Sequence, residues 1–494
     1  MKVALVFPPF FYPNWFWDKG EDILVPPIPS LCLYSSLMEK GIDCDVFDIT
    51  ALELEKIKQL ESEITKSKKE VEWHNIPKLD EYFKYRLTMS TILDGKFERK
   101  YRGILDKYIK ILNEGEYSHI LFHVYDTTLH ACIYMTDRIG VDKEVVWGGH
   151  HLPFLYYSLI NPPNTNRYKV YNDKKLRKEL LGEIITNWIH FLYGECDFSL
   201  PSFLTNETTD DKLDKPVMRT IHNLDSLPKL KLWKANSYTG FNTYMSRGCI
   251  FRCNFCDLNE ITKQFRTRNP STPLVEIQDS GFTKVAFSDF TVTANLKLLE
   301  NFCELSNSEI QITSQATFNW SKKLTELNQE KEIIHSLAFG LETEDARLRE
   351  KMNKAGVVGD DKIMQVLKGV KESKIKVCTF WLVGHPEDSF KIKKQQLKEM
   401  LKYIDYATIA IFNLGWYSSF ALQGDNVTKT VEKFPEDRLV PLEEFLKFDY
   451  VFPDYPKSVI GFKYKKSEKI IQKVEEYNKI FEKELSHKCL KNIK

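Results

Sequence analysis

The feature that most constrains the possible folds of this chain is a set of short apolar runs that alternate with amphipathic stretches. This alternation recurs along most of the sequence. In the first half the runs are rich in β-branched and aromatic residues and are followed by turn-forming residues, as buried strands are. These runs are residues 2–7, 43–49, 118–124 and 144–149. Helical stretches separate them, one ending at Gly41 and one beginning near Thr128. This alternation predicts an open parallel sheet of the Rossmann type over residues 1–205.

A second alternating series follows a turn-rich stretch, residues 206–235, which we interpret as a linker. Its candidate strands are residues 242–248, 284–289, 310–316, 335–342, 376–384 and 407–413. Repeated strand–helix units of this length predict a partial (β/α)6 barrel over residues 236–420. A charged helix from about Ser467 belongs to a small C-terminal helical extension, residues 421–494. The predicted fold class is therefore α/β.

Residues 51–115 interrupt the first series with a stretch rich in Lys and Glu. This composition predicts an inserted pair of solvated helices, and a surface that binds a partner is the alternative. Ligands of open parallel sheets bind beyond the carboxyl ends of the strands. We therefore expect the loops after Phe7, Val124 and Gly149 to face the mouth of the barrel.

The charge balance excludes one broad class of function. Among 494 residues, 70 are Lys or Arg and 69 are Asp or Glu, so the formal net charge is +1. Binding to a nucleic-acid backbone needs a large basic excess, so no nucleic-acid partner is expected. No apolar run matches a membrane span and the N-terminus lacks a signal-peptide cleavage site, so we expect a cytoplasmic protein without membrane contact. Ten cysteines in a reducing compartment favour thiols or metal ligands over disulfides.

Three cysteines carry the strongest chemical signal. Cys249, Cys253 and Cys256 follow a predicted strand and Gly248 with the spacing CxxxCxxC. A loop of this spacing can place three thiolates around one soft metal centre. A four-iron four-sulfur cluster takes four ligands, so three cysteines leave one iron open to another group. Zinc is the alternative, but zinc usually has a fourth His or Cys at comparable spacing, and none follows closely here.

The cysteine motif, with Phe255 before its third cysteine and FRTRNP after it, resembles that of the radical S-adenosylmethionine (radical SAM) enzymes. The resemblance covers roughly residues 236–415. It implies that the three cysteines hold a four-iron four-sulfur cluster whose open iron binds the methionine part of S-adenosylmethionine. In this family one electron from the cluster cleaves the sulfonium, and the resulting 5′-deoxyadenosyl radical abstracts a hydrogen atom from the substrate. An external one-electron reductant is then a required partner.

The same resemblance implies cofactor-binding residues at the ends of barrel strands. Ser288 and Asp289 end the second strand, where relatives contact the methionine amino group; helix capping is the alternative for Asp289. Gln315 ends the third strand, within expected reach of the ribose or carboxylate. Glu342 lies in FGLETEDARLREKMNKA, which is similar to the family's Gly-x-Glu-Ser stretch with Thr343 in place of Ser.

Two further stretches carry weaker expectations. LVGHPEDS resembles the Gly-x-Pro-Gly-Glu turn of the family, which implies a structural turn that places the adenine. Gly384 and Pro386 match that turn, whereas the next two residues, Glu and Asp, depart from it. Arg266 and Arg268 are candidates for binding the methionine carboxylate, and solvated surface arginines are the alternative.

The N-terminal half resembles the cobalamin-binding-like domain that precedes many radical SAM barrels. The resemblance lies in PPIPSLCL, KGIDCDVFD, VVWGGHH and NLDSLP. The Asp-x-His-x-x-Gly motif that supplies a lower histidine ligand is absent, since Asp126 and His130 have the wrong spacing. Trp147 and the bulky residues after Gly149 are expected to crowd the pocket. The open alternatives are a bound cobalamin and a retained scaffold that binds a leader peptide.

Among the reactions that radical SAM enzymes perform, Cys378 favours one type. It lies on the predicted strand 376–384, where Phe380 and Leu382 share its face by strand alternation. If that face points inward, the thiol lies in the reaction chamber and can return a hydrogen atom after an α-hydrogen has been removed. A buried core thiol is the alternative.

The chain resembles the radical SAM peptide epimerases of proteusin pathways. The resemblance lies in this cysteine, in the chain length and in the lack of a cysteine-rich auxiliary domain. The resemblance implies L-to-D epimerisation of a ribosomally made precursor peptide with a leader, with Cys378 as the catalytic hydrogen donor. The main alternative for the protein is a cobalamin-dependent radical SAM C-methyltransferase.

Overall fold

Two parallel sheets flanked by helices form the protein, so the α/β prediction is confirmed. The computed structural model describes residues 1–8, 24–53, 95–124, 128–149, 189–192, 194–205, 220–234, 238–256, 258, 264–354, 359–411, 431–433, 462–464 and 467–485. None of the helices within these ranges is long and apolar enough to cross a membrane.

The N-terminal half folds as a five-stranded parallel sheet in the order β2-β1-β3-β4-β5. Its elements are β1 (Lys2–Phe7), α1 (Ile28–Glu39), β2 (Asp43–Asp48), α2 (Gly95–Glu114), β3 (His119–His123), α3 (Leu129–Thr136), β4 (Glu144–Gly148), β5 (Ile189–Leu192) and α4 (Ser199–Leu204). This is a doubly wound order, and its direction reverses between β1 and β3. The apolar runs that predicted β1, β3 and β4 are mostly buried, whereas the edge strand β2 is partly exposed.

Helix α2 corrects the expectation of a solvated insertion over residues 51–115. Its buried residues Leu105 and Leu112 face the protein, and Tyr108 packs edge-on against Phe47 of β2. The helix therefore serves as the crossover from β2 to β3. Its charged exposed face hid this role in the sequence. The rest of the predicted insertion, residues 54–94, lies outside the described residues.

The C-terminal half folds as six parallel strands in the order β13-β12-β11-β10-β9-β6, with helices between them. Its elements are β6 (Phe241–Thr243), β7 (Ser246–Arg247), β8 (Arg266–Thr267), α5 (Ser271–Ser280), β9 (Lys284–Phe287), α6 (Leu296–Leu305), β10 (Gln311–Ala316), α7 (Lys322–Lys331), β11 (Ile334–Glu342), α8 (Ala346–Lys351), α9 (Asp360–Glu372), β12 (Lys376–Val383), α10 (Lys394–Leu401), β13 (Tyr406–Ile411), β14 (Val431–Lys433), β15 (Phe462–Tyr464) and α11 (Ser467–Glu484). Sequential strand order with intervening helices is the partial barrel that the sequence predicts.

The predicted strand 242–248 is two strands. β6 joins the barrel, whereas β7 pairs with β8 in an antiparallel hairpin. The Asp289 carboxylate explains the break, because it accepts hydrogen bonds from Met245 N (2.9 Å) and Ser246 Oγ (2.5 Å). These bonds turn the chain away from the barrel sheet. The cysteine loop follows directly after this turn.

The C-terminal helix α11 packs on the outside of the barrel. Trp381 of β12 contacts the rings of Tyr477 and Phe481 at 5.6 and 5.4 Å between centroids. Lys473 forms an ion pair with Asp388, and both side chains are at most 2% exposed. The extension is thus a structural part of the barrel.

The carboxyl edge of the N-terminal sheet faces the barrel. Residues 24–27, which precede α1, bind the segment around β6. At the end of β2, Asp48 accepts a hydrogen bond from Tyr238 (2.8 Å), and beyond β5, Asp197 binds both terminal nitrogens of Arg247 at 2.9 Å. The loops after Phe7, Val124 and Gly149, which were expected to face the barrel, lie outside the described residues.

Candidate active site at the cysteine loop

The cysteine loop leaves the β7–β8 hairpin at a position that only glycine permits. Gly248 has φ +87°, and a Cβ there would lie 2.1 Å from the carbonyl oxygen of Gln264. Beyond it, Cys253 is buried, and Cys249 and Cys256 are half-buried. The hairpin thus directs three thiols, none of them in a disulfide, into one short loop.

Hydrogen bonds fix this loop to the end of helix α8. Asn254 donates from its backbone to the carbonyl oxygen of Met352 (3.0 Å) and from its amide to that of Lys351 (2.8 Å). In return, the Asn353 amide donates to the carbonyl oxygen of Arg252 (2.7 Å). The chain that follows β11 therefore determines where the cysteine loop lies.

Glu342 and Lys354 form an ion pair beside the loop. Their atoms Oε1 and Nζ are 2.7 Å apart, and the Lys354 ammonium lies 5.7 Å from the ring centroid of Phe255. Burial lowers the pKa of Lys354, but Glu342 and the thiolates of Cys253 and Cys256 outweigh this effect and raise the pKa above its usual value. Lys354 was missed in the sequence, although it lies in the stretch that drew attention to Glu342.

The arrangement of the cysteines fits an iron–sulfur cluster better than a single metal ion. Within the described ranges, no three Cys, His, Asp or Glu side chains surround one ion position. A zinc ion requires such convergence, whereas three cysteines that each bind a different iron of one cluster do not. Three thiols in one short loop, with the Lys354 ammonium beside Phe255, are a donor set that suits a cluster with one open iron.

Ser288 and Asp289 are hydrogen-bonded to residues in and around β6 and β7. The Ser288 hydroxyl donates to Asn242 Oδ1 at 2.7 Å. Asp289 is 2% exposed, and its two oxygens accept from the residues between β6 and β7. Burial raises the pKa of Asp289 to about 6, although hydrogen bonds from Ser246 and Met245 oppose this. Asp289 therefore positions the hairpin that carries the cysteine loop, and the contact of Ser288 and Asp289 with the methionine amino group stays a prediction.

Arg266 and Arg268 are buried side chains with internal ion pairs, so the alternative of solvated surface arginines is wrong, and their contact with the methionine carboxylate stays a prediction. Arg266 makes a bidentate ion pair with Glu195 at 2.5 and 2.9 Å. Arg268 binds Glu276 at 2.5 Å, and both side chains are at most 1% exposed. These arginines serve the packing of the hairpin.

Gln315 and Cys378 face the interior of the barrel. In the parallel ladder both residues pair with Ala338, so they share one face of the sheet. The opposite face of β12 carries Trp381, which packs on α11. Gln315 is exposed there, as a cofactor-binding residue must be. Cys378 is only 5% exposed, and burial raises the pKa of its thiol to about 12.

The turn after β12 is held by the C-terminal helix. Gly384 has φ +98°, and the side chain of Ile470 lies 2.9 Å from where its Cβ would be. Asp388, where the sequence departs from the expected turn, accepts a hydrogen bond from Phe390 N (2.8 Å) and pairs with Lys473. That departure therefore supplies the anchor for α11, and the placement of adenine by this turn stays a prediction.

Trp147, one of the residues expected to crowd the cobalamin pocket, packs away from the carboxyl edge of the N-terminal sheet. Trp147 does not enter this edge, because its Nε1 donates to Thr136 of α3 (3.1 Å) and its ring packs on Phe191. At Gly149, with φ +143°, a Cβ would lie 2.2 Å from the Val124 carbonyl oxygen. Glycine at position 149 therefore permits the close approach to Val124, whereas a Cβ on Gly148, the last residue of β4, would meet no described atom within 4 Å. The pair Asp126 and His130 and the bulky residues after Gly149 lie outside the described side chains.

Comparison with known proteins supports both halves of this description. The sequence model of the Radical SAM superfamily matches residues 243–402. No curated protein matches the sequence. The chain is similar in structure to the radical S-adenosylmethionine methyltransferase TsrM from Kitasatospora setae, solved with cobalamin and a 4Fe-4S cluster bound, with a TM-score of 0.62 and 11% identity over 99% of this chain and 92% of that one.

A second TsrM structure, with tryptophan substrate and the SAM analog aza-SAM bound, matches with a TM-score of 0.56 and 11% identity over 94% of this chain and 86% of that one. At this identity the likeness shows a common fold over both domains. The superfamily match covers the cysteine loop, Gln315, Glu342 and Cys378. Residues 243–402 are therefore a radical SAM domain, and the cofactors of such a domain are a 4Fe-4S cluster and S-adenosylmethionine.

Proposed function

We propose that this protein is a cobalamin-dependent radical SAM methyltransferase, which transfers the methyl group of S-adenosylmethionine to a carbon atom of its substrate. The observation that carries the proposal is the presence of two domains in one chain, a doubly wound sheet and a barrel with the cysteine loop. Segments at the carboxyl edge of a doubly wound sheet bind the barrel strand β6 and the β7–β8 hairpin, and the cysteine loop follows β7. The same two-domain fold in TsrM supports the assignment.

Each group has residues of suitable chemistry in this chain. Cys249, Cys253 and Cys256 would hold the cluster, and Glu342 and Gln315 would bind S-adenosylmethionine. The sheet edge at Gly149 would receive cobalamin. When bound, the cluster with S-adenosylmethionine supplies reductive cleavage and the methyl group, and cobalamin supplies a methyl carrier. The barrel interior would exclude water and orient the substrate.

A peptide epimerase, the interpretation that Cys378 favoured in the sequence, keeps one supporting observation. The thiol faces the barrel interior and stays protonated, as a hydrogen-atom donor must. Its 5% exposure nevertheless gives it little contact with the chamber. Its role as donor, and a leader-bearing peptide as substrate, stay predictions.

The products formed from S-adenosylmethionine separate the two functions. The anaerobically reconstituted protein is incubated with S-adenosylmethionine and titanium(III) citrate, with and without hydroxocobalamin. A methyltransferase is expected to form S-adenosylhomocysteine only when the corrinoid is present. Formation of 5′-deoxyadenosine alone, unchanged by corrinoid, would contradict methyl transfer and support hydrogen abstraction.

A further inference from the structure

The ion pair between Glu342 and Lys354 occupies a site that the backbone prepares for it. The β11 ladder shifts register between Gly340 and Glu342, and Glu342 has φ +65°. A Cβ on Gly340 would lie 2.5 Å from Glu342 Oε1 and 2.6 Å from Lys354 Nζ. A side chain at Gly340 would therefore displace both charged groups.

Hydrogen bonds to the cysteine loop also fix the position of Lys354. The residues just before it, Met352 and Asn353, are hydrogen-bonded to the cysteine loop, at Asn254 and Arg252 respectively. The Lys354 side chain is 19% exposed, so solvent screens its charge only partly. The Lys354 ammonium thus lies beside the cysteine loop, 5.7 Å from the ring centroid of Phe255, which precedes Cys256.

A fixed charge at this position acts on the redox chemistry of a cluster. Reduction adds one negative charge to the cluster, and a nearby cation stabilises that state more than the oxidised one. Net charge around the cluster and hydrogen bonds to its sulfur atoms are known determinants of its potential. The Glu342 carboxylate lies beside the Lys354 ammonium, so its negative charge weakens the stabilising effect of that ammonium on the reduced cluster.

We propose that Lys354 sets the reduction potential of the cluster held by Cys249, Cys253 and Cys256, making it easier to reduce, and that Glu342 moderates this effect. The inference rests on the cluster assignment in the proposed function. It concerns the cluster before S-adenosylmethionine binds, so it does not depend on which reaction follows.

The test is a redox titration of the cluster, followed by electron paramagnetic resonance without S-adenosylmethionine, after iron and sulfide have been measured. At the wild-type midpoint potential, we expect the ratio of reduced to oxidised cluster in Lys354→Met to fall about tenfold, which corresponds to about 59 mV for one electron. Lys354→Arg keeps the charge and should stay within about twofold of wild type. Glu342→Gln should shift the ratio in the opposite direction.

Two variants control for structure. Gly340→Ala removes no charge but displaces the ammonium, so it should change the ratio. Lys351→Met removes an exposed charge three residues earlier, leaves the backbone bond to Asn254 in place and should not change the ratio.

The outcomes separate this inference from the proposed function. A full cluster in Lys354→Met with the wild-type potential would overturn the inference and leave the cluster assignment intact. A wild-type protein that binds no cluster would overturn the proposed function. If Lys354→Met assembles no cluster, Glu342→Gln decides, because an unchanged or more negative potential in that variant overturns the inference.

Discussion

The cysteine loop depends on residues whose backbone or charge is unusual for their position. Gly248 lets the chain leave a hairpin where no Cβ fits, and Glu342 adopts a left-handed conformation at the end of β11. A non-glycine residue in that region carries strain, which persists only where the surroundings hold it. Here the ion pair to Lys354 holds it.

Replacing Cys249, Cys253 and Cys256 together by Ala is expected to abolish cluster binding. The other cysteines among the described residues are buried and lie far apart in the sequence, so none of them forms a comparable loop motif. Iron and sulfide analysis of the anaerobically reconstituted protein measures this directly. A triple variant that binds wild-type amounts of iron would show that the cluster lies elsewhere in the chain.

Cys378→Ala provides a residue-level test of the rival reaction. Because the thiol is 5% exposed, we expect cobalamin-dependent formation of S-adenosylhomocysteine to stay within about twofold of wild type. Cys303→Ala, at a buried thiol on α6 that is 1% exposed, controls for loss of packing. A large loss of turnover in Cys378→Ala alone would place the thiol in the reaction.

Site residues were predictable from the sequence where the residues that act together lie close to one another in the chain. The three cysteines lie within eight residues, so their pattern already defined a candidate metal site. The partners of Arg266 and Asp289 lie 71 and 44 residues away, and no local pattern reveals them. Their burial in ion pairs and hydrogen bonds therefore appeared only in the structure.

At the scale of elements, the C-terminal helix braces the turn after β12. Lys473→Met would leave Asp388 buried without its cation, and breaking such a pair costs about 3–5 kcal/mol of unfolding free energy. Lys394→Met, which removes an exposed pair with Glu476 on the same helix, should cost less than about 1 kcal/mol. Denaturant unfolding compares the two, and equal losses would contradict the bracing role of α11.

The same turn predicts a dependence on pH. Burial lowers the pKa of His385 to about 4, although Glu387 and Asp388 oppose this, and its Nδ1 accepts a hydrogen bond from Glu387 N at 3.2 Å. Because the folded-state pKa lies below the unfolded value of about 6.5, the stabilisation is complete above pH 6.5 and is lost as the pH falls towards 4. The loss amounts to roughly 3 kcal/mol.

His385→Asn tests this expectation, because Asn can accept a hydrogen bond from the residue two positions on but does not titrate. Unfolding free energies between pH 4 and 7 should fall less steeply in the variant than in wild type. Identical slopes would show that His385 does not titrate as argued. Asp289 also contributes to the pH dependence of the unfolding free energy, with the opposite sign, because its pKa is raised. This contribution is the same in both proteins, so it does not affect the difference between their slopes.

Strand and helix positions were largely predictable, because apolar periodicity reflects burial. The exceptions are elements whose role depends on distant contacts. Helix α2 looked like a solvated insertion because its charged face dominates its composition, yet Leu105, Tyr108 and Leu112 bury it against the sheet. The strand before the cysteine loop was predicted as continuous because nothing local marks its break at Met245.

At the scale of the whole molecule, the two domains are joined by buried ion pairs beside the cysteine loop. Arg247 and Arg266 of the hairpin bind Asp197 and Glu195, which follow β5. Removing one member of such a pair leaves a charge without its partner. The sheet edge and the cysteine loop are therefore held in one arrangement, which is what transfer of a methyl group between two cofactors requires.

Retention of corrinoid tests the central claim most directly. The reconstituted protein is mixed with hydroxocobalamin, passed through gel filtration and examined by visible absorption. The account predicts that corrinoid elutes with the wild-type protein in stoichiometric amount. Gly148 ends β4 at the edge proposed to receive cobalamin, and a Cβ there would meet no described atom within 4 Å, so Gly148→Val should fill this space, lose the corrinoid and keep the cluster. A wild-type protein with an intact cluster that retains no corrinoid would contradict the account.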